Sequence, residues 1–402
     1  MDGEAFVGID WGSKSHRVCV LDAQRNVLDE FYVEHDGEAL AGLADRLRKR
    51  ASSIVVGIET RWTAVAETLL ERGIRVFAIN PKQVDRFRDR HTVAGAKDDR
   101  RDAFVLADSL RTDPHAFHEV MLGDPRIVEL RELSRMHGEL KELNNMLGNR
   151  LFQQLLRFFP QIFELGSIYA DSWLLELLEH APTPEEARTL RLPKIRWLLE
   201  KHRIRRLNAV EVHRVLHKTP LCVAPGVTAA CRAHIRLLLP QLRLVQTQLE
   251  ATVDALKTAL DDLEQQPSQK KEHRDVTIIR SLPGAGTIVA ATMLAEARDA
   301  LVSRDYHRLR VIAGTAPVTR QSGKSSAVSM RRACNPRLRT AVHFLAATII
   351  RYDARFKALY ASHRQRGHSH PHALRVIADR ALKMLVTMLR TDNPYDENKR
   401  VA

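Results

Sequence analysis

Apolar residues near the start of the chain come in short runs separated by turn residues. Residues 6–10 form one run that ends in an acid, and residues 53–60 form another run that contains a second acid. Between them, residues 17–23 and 27–35 are rich in Val, Phe and Tyr and are joined by turn residues. This pattern predicts three strands joined by hairpins, followed by a fourth strand that is buried on both faces.

Helical periodicity alternates with a further strand after these runs. Helices are predicted over Glu38–Lys49 and Val65–Arg72, a strand over Arg75–Asn80, and another helix beginning at Pro81. An amphipathic helix opened by residues 97–103 closes this part of the chain. Three hairpin strands followed by alternating helices and strands is the order of a ribonuclease H-like α/β fold.

Four acids fall where this order would bring strand ends and a helix together. Asp10 and Glu59 lie at the ends of the first and fourth strands. Asp99 and Asp102 are three residues apart, so they share one helical face. Neighbouring carboxylates repel each other unless a cation lies between them, and oxygen ligands suit Mg²⁺ or Mn²⁺. The set of four predicts a cage for two ions that could promote cleavage of a phosphodiester.

Two other interpretations of these segments compete with the metal cage. Each acid by itself is more often the polar end of a strand or a solvated first helical turn. Residues 8–14, followed by a hairpin, are also similar to the first phosphate loop of the sugar kinases and actin-type ATPases. Those proteins need a second glycine-rich phosphate loop, and no suitably placed one follows here.

Heptad-spaced leucines predict two long helices in the middle of the chain. Repeats of seven are typical of helices that pair through a narrow apolar seam. The two helices could pair with each other or across protomers, and the pattern does not distinguish these arrangements. Between them, the basic run 201–206 could contact a phosphate backbone or be a solvated face. The leucines are Leu133, Leu140 and Leu147 in the first helix and Leu242, Leu249, Leu256 and Leu263 in the second.

After a polar break at residues 265–269, the C-terminal part combines a glycine turn with a serine among cations. Residues 282–286 read Leu-Pro-Gly-Ala-Gly between two helical stretches, which is typical of a helix-hairpin-helix that binds a DNA phosphate through backbone N–H groups. Ser322 precedes a glycine and has basic residues on both sides. Such cations would stabilise both its alkoxide and the charge that develops on a phosphate under attack.

The charge balance points to a polyanionic partner. The chain has 402 residues, a net charge of +14 and only 5% aromatic residues. The excess of cations favours nucleic acid, whereas the few aromatics argue against a surface that mainly stacks on unpaired bases. The four cysteines form no CxxC pair and are expected to be reduced thiols of a cytosolic protein. A signal peptide and a membrane-spanning run are not expected.

Sequence motifs spread over nearly the whole chain match one family. In the N-terminal part they are Gly8-Ile9-Asp10, Gly57-Ile58-Glu59-Thr60, Ile79-Asn80-Pro81-Lys82-Gln83-Val84 and Lys97-x-Asp99-Arg100-Arg101-Asp102-Ala103. In the C-terminal part they are Leu282-Pro283-Gly284-Ala285-Gly286, Ser322-Gly323, Asn335-Pro336-Arg337-Leu338-Arg339 and Asn393-Pro394-Tyr395-Asp396. The chain thereby resembles the insertion-sequence-110 family, the DEDD transposases of bacterial mobile elements. It departs from that family at three positions. Arg61 and Trp62 stand where a glycine and an aromatic residue are usual, and Cys334 stands where a glycine is usual.

The resemblance implies three domains and a metal-dependent recombinase. The expected domains are a RuvC-like nuclease over residues 1–125, a helical and coiled-coil-like region over 126–270, and a mainly helical transposase domain over 271–402. The resemblance implies that the four acids bind Mg²⁺ or Mn²⁺, and that Ser322 forms a covalent phosphoserine link with DNA. A structure-specific junction endonuclease that hydrolyses DNA without serine chemistry is the alternative.

The resemblance also implies partners and a contact surface. The expected partners are donor and target double-stranded DNA, a structured non-coding bridge RNA, and further copies of the chain in a dimer or tetramer. The expected location is the bacterial cytoplasm, in association with the nucleoid. The residues expected to contact nucleic acid are Lys97, Arg100, Arg101, Gly284, Gly286, Lys324, Arg331, Arg332, Arg337 and Arg339.

Overall fold

The chain folds into two compact units, Met1–Asp124 and Pro125–Ala402. The structure is a computed structural model that describes residues 3–60, 63–88, 98–121, 124–169, 171–224, 226–265, 271–322 and 325–397. The first unit is a mixed α/β domain, and the second is mostly helical. Both fold classes agree with the expectation from the sequence.

The first unit is built around one six-stranded sheet. Its strands and helices are β1 Glu4–Asp10, β2 Ser15–Leu21, β3 Val27–Glu34, α1 Gly37–Arg48, β4 Ser53–Ile58, α2 Ala64–Glu71, β5 Arg75–Ala78, α3 Pro81–Arg88, α4 Asp99–Thr112 and β6 His118–Val120. The strand order is β3-β2-β1-β4-β5-β6. Strands β1, β4 and β5 are parallel to one another, while β2, β3 and β6 pair antiparallel with their neighbours.

The two faces of this sheet bury different helices. On one face, Val7, Ile9 and Val56 pack with Leu43 and other residues of α1 and α2. On the opposite face, the sheet packs against the buried side of α4 through residues such as Phe6, Val55 and Leu106. Because side chains alternate between faces along a strand, the pattern of buried residues fixes which acids face α4.

The second unit contains twelve α-helices and one hairpin within the described residues. Its elements are α5 Pro125–Phe158, α6 Ser172–His180, α7 Pro184–Arg188, α8 Leu192–Lys201, α9 Ala209–Leu216, α10 Val227–Gln265, α11 Lys271–Ser281, α12 Thr287–Val302, α13 Tyr306–Ile312, β7 Val318–Ser322, β8 Ser325–Ser329, α14 Pro336–Tyr352, α15 Ala354–Gln365 and α16 His370–Thr391. In the part of the chain described here, none of these helices is long and apolar enough to cross a membrane.

Helices α5 and α10 pack against each other and connect two hydrophobic cores. The first half of α5 and the second half of α10 share a core with α11 to α16, as Leu130 and Leu256 show. The second half of α5 and the first half of α10 share another core with α6 to α9, as Leu151 and Leu242 show. The two long helices are therefore antiparallel.

This packing decides between the two arrangements that the heptad pattern allowed. Leu147, Leu242, Leu256 and Leu263 are buried within the chain, and the remaining three heptad leucines are partly buried against the same two cores. The leucine seam thus pairs α5 with α10 of the same chain. The seam contributes to the monomer core, and an assembly of several copies needs other surfaces.

Candidate active site

Asp10 and Glu59 lie side by side at one edge of the sheet. Strands β1 and β4 are parallel with Gly8 opposite Gly57 and Ile9 opposite Ile58, so the next positions are Asp10 and Glu59. The isoleucines face α1 and α2. Because side chains alternate along a strand, Asp10 faces α4 instead, and Glu59 directly follows the end of β4.

The direction of α4 places two more acids at the same edge. Near the C-terminal end of α4, Arg111 donates to the carbonyl oxygen of Ala23 at 3.2 Å, in the turn after β2. Since β2 is antiparallel to β1, this turn lies at the amino end of β1. The other end of α4, with Asp99 and Asp102, therefore lies toward the carboxyl end of β1. Asp102 is buried, with 4% of its surface exposed, and Asp99 is exposed.

The glycines of the two strands allow α4 to approach this closely. A Cβ built on Gly8 would lie 2.5 Å from the backbone nitrogen of Ala107. A Cβ on Gly57 would lie 3.2 Å from the carbonyl oxygen of Leu106. The first distance leaves no room for a side chain, so the sequence Gly8-Ile9-Asp10 positions the helix as well as the acid.

Asp98 and Asp99 have different roles in the structure. Asp98 is the N-cap of α4, and its side chain accepts a hydrogen bond from the backbone nitrogen of Arg100 at 3.3 Å. An N-cap aspartate satisfies one of the free N–H groups in the first helical turn. Asp99 is the first residue of the helix, and its carboxylate carries no capping bond to that turn.

The carboxylates match a hard divalent cation in chemistry, although their side chains are not gathered around one point. All four potential ligands are oxygen donors, as Mg²⁺ and Mn²⁺ prefer. In the described ranges, no three His, Cys, Asp or Glu side chains are placed so that they could hold a metal ion. The backbone therefore brings the four acids to one edge, and the described side-chain positions do not form a closed cage.

A cationic pair next to the acids was not singled out in the sequence. Arg17 is opposite Asp10 in the β1–β2 register, which puts both side chains on the α4 face. The carboxylate of Glu30 accepts from Arg17 at 3.0 Å and lies 2.7 Å from the guanidinium of Arg100. Arg17 also lies 4.7 Å from the ring centre of Tyr32. The alternation of β2 could have indicated Arg17, but only with the strand register known.

Ser322 is the last residue of β7, the first strand of a short β-hairpin. Strands β7 and β8 pair antiparallel with Ser322 opposite Ser325, so Ser322 flanks the hairpin turn and is exposed. No strand was predicted here from the sequence, and the structure forms a two-stranded hairpin. Lys324 was predicted to contact nucleic acid, but like Lys97 it lies outside the described residues.

A partly buried polar network anchors the chain just before this hairpin. The carboxylate of Asp379 on α16 accepts hydrogen bonds from Tyr306 at 2.9 Å, from Arg310 at 2.9 and 3.0 Å, and from Thr315 at 2.8 Å. Thr315 is buried and lies three residues before β7. Burial and Asp379 together raise the pKa of Tyr306 to about 12, so its hydroxyl stays protonated and donates.

The two glycines of the predicted helix-hairpin-helix have different surroundings. Gly284 has a φ of 97°, and a Cβ there would lie 2.9 Å from the side chain of Thr348 on α14. Gly286 is the exposed N-cap of α12, with open space around its α-carbon. Of this pair, Gly286 presents backbone to the surface, whereas Gly284 serves the packing of the turn against α14.

The predicted arginine contacts after the hairpin are similarly mixed. Arg332 is exposed, whereas Arg331 and Arg339 are half-buried. Arg337 lies 3.6 Å from the carboxylate of Glu139, in a cleft that five glutamates line. Its charge is partly neutralised there, so Arg337 has the weakest structural support as a phosphate contact.

Family comparisons agree with the fold and with the motifs. A family model described as "Transposase", of the IS110 DEDD type, matches residues 7–160, and one described as "Transposase IS116/IS110/IS902 family" matches residues 276–361. The two segments include all four acids and Ser322. The α/β unit with its acidic edge thus belongs to the class of the DEDD transposases.

The chain belongs to the IS110 family of insertion-sequence transposases. It is 31% identical to the "Mini-circle putative transposase for IS117" of Streptomyces coelicolor, over 99% of this chain and 96% of the relative. It is 26% identical to the "Insertion element IS110 uncharacterized 43.6 kDa protein" of the same organism, over 98% and 96%. The "Putative transposase y4uE" of Sinorhizobium fredii is 46% identical over 51% of this chain and 58% of the relative.

Proposed function

We propose that this protein is a DNA recombinase that moves an insertion sequence by metal-dependent strand cleavage and rejoining. The proposal rests on the backbone positions of four acids: Asp10 and Glu59 at the carboxyl ends of β1 and β4, and Asp99 and Asp102 in the first turn of α4. The sheet order and the hairpin-first topology support a ribonuclease H-like fold for this unit. DNA is the substrate that membership of a transposase family implies.

The four carboxylates would hold one or two divalent ions, Mg²⁺ or Mn²⁺. Such ions would supply Lewis-acid stabilisation of the charge on the scissile phosphate and its leaving oxygen. Asp10 and Glu59 are fixed by the parallel pairing of β1 and β4, and α4 is fixed against both strands by the glycines. Arg17 and Arg100, which share Glu30, would add positive charge for the flanking phosphates.

Ser322 is the proposed nucleophile of the strand transfer. Its Oγ would attack the phosphorus, the bond from phosphorus to a deoxyribose oxygen would break, and the hydroxyl proton would pass to the departing oxygen through solvent. The phosphodiester energy is then kept in a phosphoserine bond, which a deoxyribose hydroxyl of another strand can attack to rejoin DNA. The exposed position beside the hairpin turn supports access of Ser322 to a strand.

The test is a search for the covalent adduct with two matched variants. Ser322→Ala should abolish the protein–DNA adduct and recombination while it leaves DNA binding intact. Ser329→Ala changes an exposed serine on the partner strand of the same hairpin and should retain both activities. An adduct mapped by mass spectrometry to Ser325, Ser326 or Ser329 would show that the nucleophile was wrongly assigned.

A hydrolytic junction endonuclease is the second candidate function. It would need only the acids of the first unit and no contribution from Ser322, which belongs to the second unit. In that case DNA would be cut with a metal-activated water, and no serine would carry an adduct. DNA cleavage without any phosphoserine, in the unmodified protein, would select this alternative.

The guide RNA and the assembly of several copies complete the proposal. The resemblance to the family supports a structured bridge RNA, and the net charge of +14 is consistent with it. Sequencing of the RNA that copurifies with the protein should recover a transcript of the DNA that flanks the gene. Light scattering of the complex with nucleic acid should give a dimer or a tetramer, whereas a strict monomer would contradict the proposed assembly.

A further inference from the structure

A basic cleft opens between α8 and α9, and it includes part of the basic run 201–206, for which the sequence left two interpretations open. Its volume is about 860 Å³. It lies at residues 196–214, between the two segments that match the transposase family, 7–160 and 276–361. The charged residues that line it are Arg196, Glu200, Arg203, Arg205, Glu211 and Arg214.

The four arginines of this cleft, called the cleft arginines below, have no protein partner among the described residues. They are Arg196, Arg203, Arg205 and Arg214, all of them exposed and all without an ion pair or a side-chain hydrogen bond in that part of the chain. One of the two acids is already engaged, because the carboxylate of Glu211 accepts from the backbone nitrogen of Asn208 at 3.0 Å in a capping box. The cleft therefore has an excess of uncompensated positive charge.

Three other cations of the basic run 201–206 make contacts within the protein and therefore have structural roles. Lys201 and His202 both contact the buried carboxylate of Glu176, at 2.6 and 2.7 Å. Arg206 donates to the carbonyl oxygen of Leu165 at 2.9 Å. Arg203 and Arg205, interleaved with them, make no such contact in the described chain. The run is thus divided into residues that hold α8 in place and residues that face the cleft.

The backbone of Arg203 adds an independent observation. Arg203 has a φ of 54°, in the left-handed region that follows the end of α8. Glycine is the usual residue at this position after a helix, because a side chain costs free energy there. An arginine held in such a conformation, with its guanidinium unpaired at the cleft, is consistent with a functional rather than a structural role.

We propose that the cleft arginines bind the phosphate backbone of double-stranded DNA, away from the strand that reacts. Guanidinium groups bind phosphate oxygens by paired hydrogen bonds, and several of them along a groove recognise a polyanion without reading its sequence. The lining contains no aromatic side chain, so it lacks the stacking platform on which unpaired bases are bound. The occupant is therefore a duplex backbone, and DNA is the duplex on which a transposase acts.

The experiment measures the binding of the full-length protein to a duplex DNA of scrambled sequence as salt is varied. The double variant Arg203→Gln/Arg205→Gln removes two phosphate contacts. The logarithmic salt slope should fall by about 2, and affinity should fall roughly tenfold at about 50 mM salt. The matched control Arg157→Gln/Arg191→Gln removes the same charge from two exposed arginines of the same unit that lie outside the cleft.

The control double variant should lose much less affinity than the cleft variant, with a nearly unchanged salt slope. Equal losses in both variants would overturn the proposal, because they would reflect net charge alone. A loss confined to a duplex RNA of matched sequence would also overturn it and would assign the cleft to RNA. Thermal unfolding should be the same for all proteins, since the substituted side chains are exposed. Because only binding is measured, the outcome is independent of the proposed serine chemistry.

Discussion

Gly8 in β1 lies so close to α4 that a side chain at position 8 would overlap the carbonyl oxygen of Ala103. Gly8 lies two residues before Asp10 on the same strand, and Ala103 directly follows Asp102, one helical turn after Asp99. Their contact sets the distance between the sheet edge and the first turn of α4. The geometry of the proposed metal site therefore depends on Gly8, although this glycine has no side chain that could bind a metal.

Gly8→Ala should destabilise the first unit by about 1–3 kcal/mol or more, because rigid backbone atoms surround the added methyl group. It should also weaken Mg²⁺ binding, since α4 must move away from β1. Gly42→Ala is the matched control, because Gly42 lies within α1 with nothing within 4 Å of a built Cβ. That substitution should stabilise the protein by about 0.5–1 kcal/mol. Chemical denaturation and calorimetric Mg²⁺ titration measure both effects.

Asp99→Asn should abolish DNA cleavage and lower the affinity for Mg²⁺ in calorimetry, because it removes one charge from the proposed cage. Asp98→Ser should retain both properties, since serine caps a helix about as well as aspartate does. The two adjacent substitutions thus separate a metal ligand from a helix cap. The opposite result, with activity lost at position 98 and kept at 99, would move the ligand to Asp98.

The Asp353 carboxylate should make stability depend on pH in the acid range. Burial alone would raise the pKa of Asp353, but donation by Arg355 and Tyr395 outweighs it and lowers the pKa from 3.8 to about 2. A depressed pKa gives stability that is complete above pH 3.8 and is lost as the pH falls toward 2. The loss should be roughly 2 kcal/mol, because each pKa unit corresponds to about 1.4 kcal/mol.

Asp353→Asn should flatten this dependence, which urea denaturation at several acid pH values would measure. Tyr395→Phe should reduce the dependence but keep part of it, because Arg355 still donates to the carboxylate at 2.7 Å. An acid dependence of unchanged size in Asp353→Asn would show that other carboxylates cause it.

Asp379→Asn should destabilise the second unit by about 1–3 kcal/mol, because Arg310 loses the charge to which it donates two hydrogen bonds. Tyr306→Phe removes a single donor from the same carboxylate and should cost only about 1 kcal/mol. If the network also positions the hairpin, Asp379→Asn should slow formation of the Ser322 adduct more than it weakens DNA binding. Equal effects of the two substitutions on stability would argue against the central role of Asp379.

The sequence was sufficient for the main strands of the first unit, because each is a short apolar run bounded by turn residues or an acid. The predicted strands over 17–23, 27–35, 53–60 and 75–80 match β2 to β5 to within a few residues. Strand β6 was missed, since three residues are too few to show any periodicity. The side-chain positions of the acids could not be predicted, because they depend on contacts that no residue pattern encodes.

The structure of the second unit was harder to predict from the sequence, for two physical reasons. The strands β7 and β8 are mostly polar, and Ser322 and Ser329 are exposed, so the two strands have no apolar alternation to detect. The heptad leucines predicted the two long helices but not that these helices pair with each other. A seam within one chain and a seam between two chains bury the same residues. The role of the Asn393–Asp396 motif became visible only in the structure, where Tyr395 donates to Asp353 and its backbone nitrogen donates to Ser281.

The antiparallel arrangement of α5 and α10 has a consequence for how such a chain can diversify. Residues 159–226 leave α5 and return to α10 at the same end of the helical pair, and α11 to α16 pack at the opposite end. Insertions or deletions in residues 159–226 can therefore change the size of the segment at that end of the helical pair. They leave unchanged the spacing of α5 and α10 at the end where α11 to α16 pack. The segment that contains the basic cleft is in this sense an exchangeable module on a fixed two-helix frame.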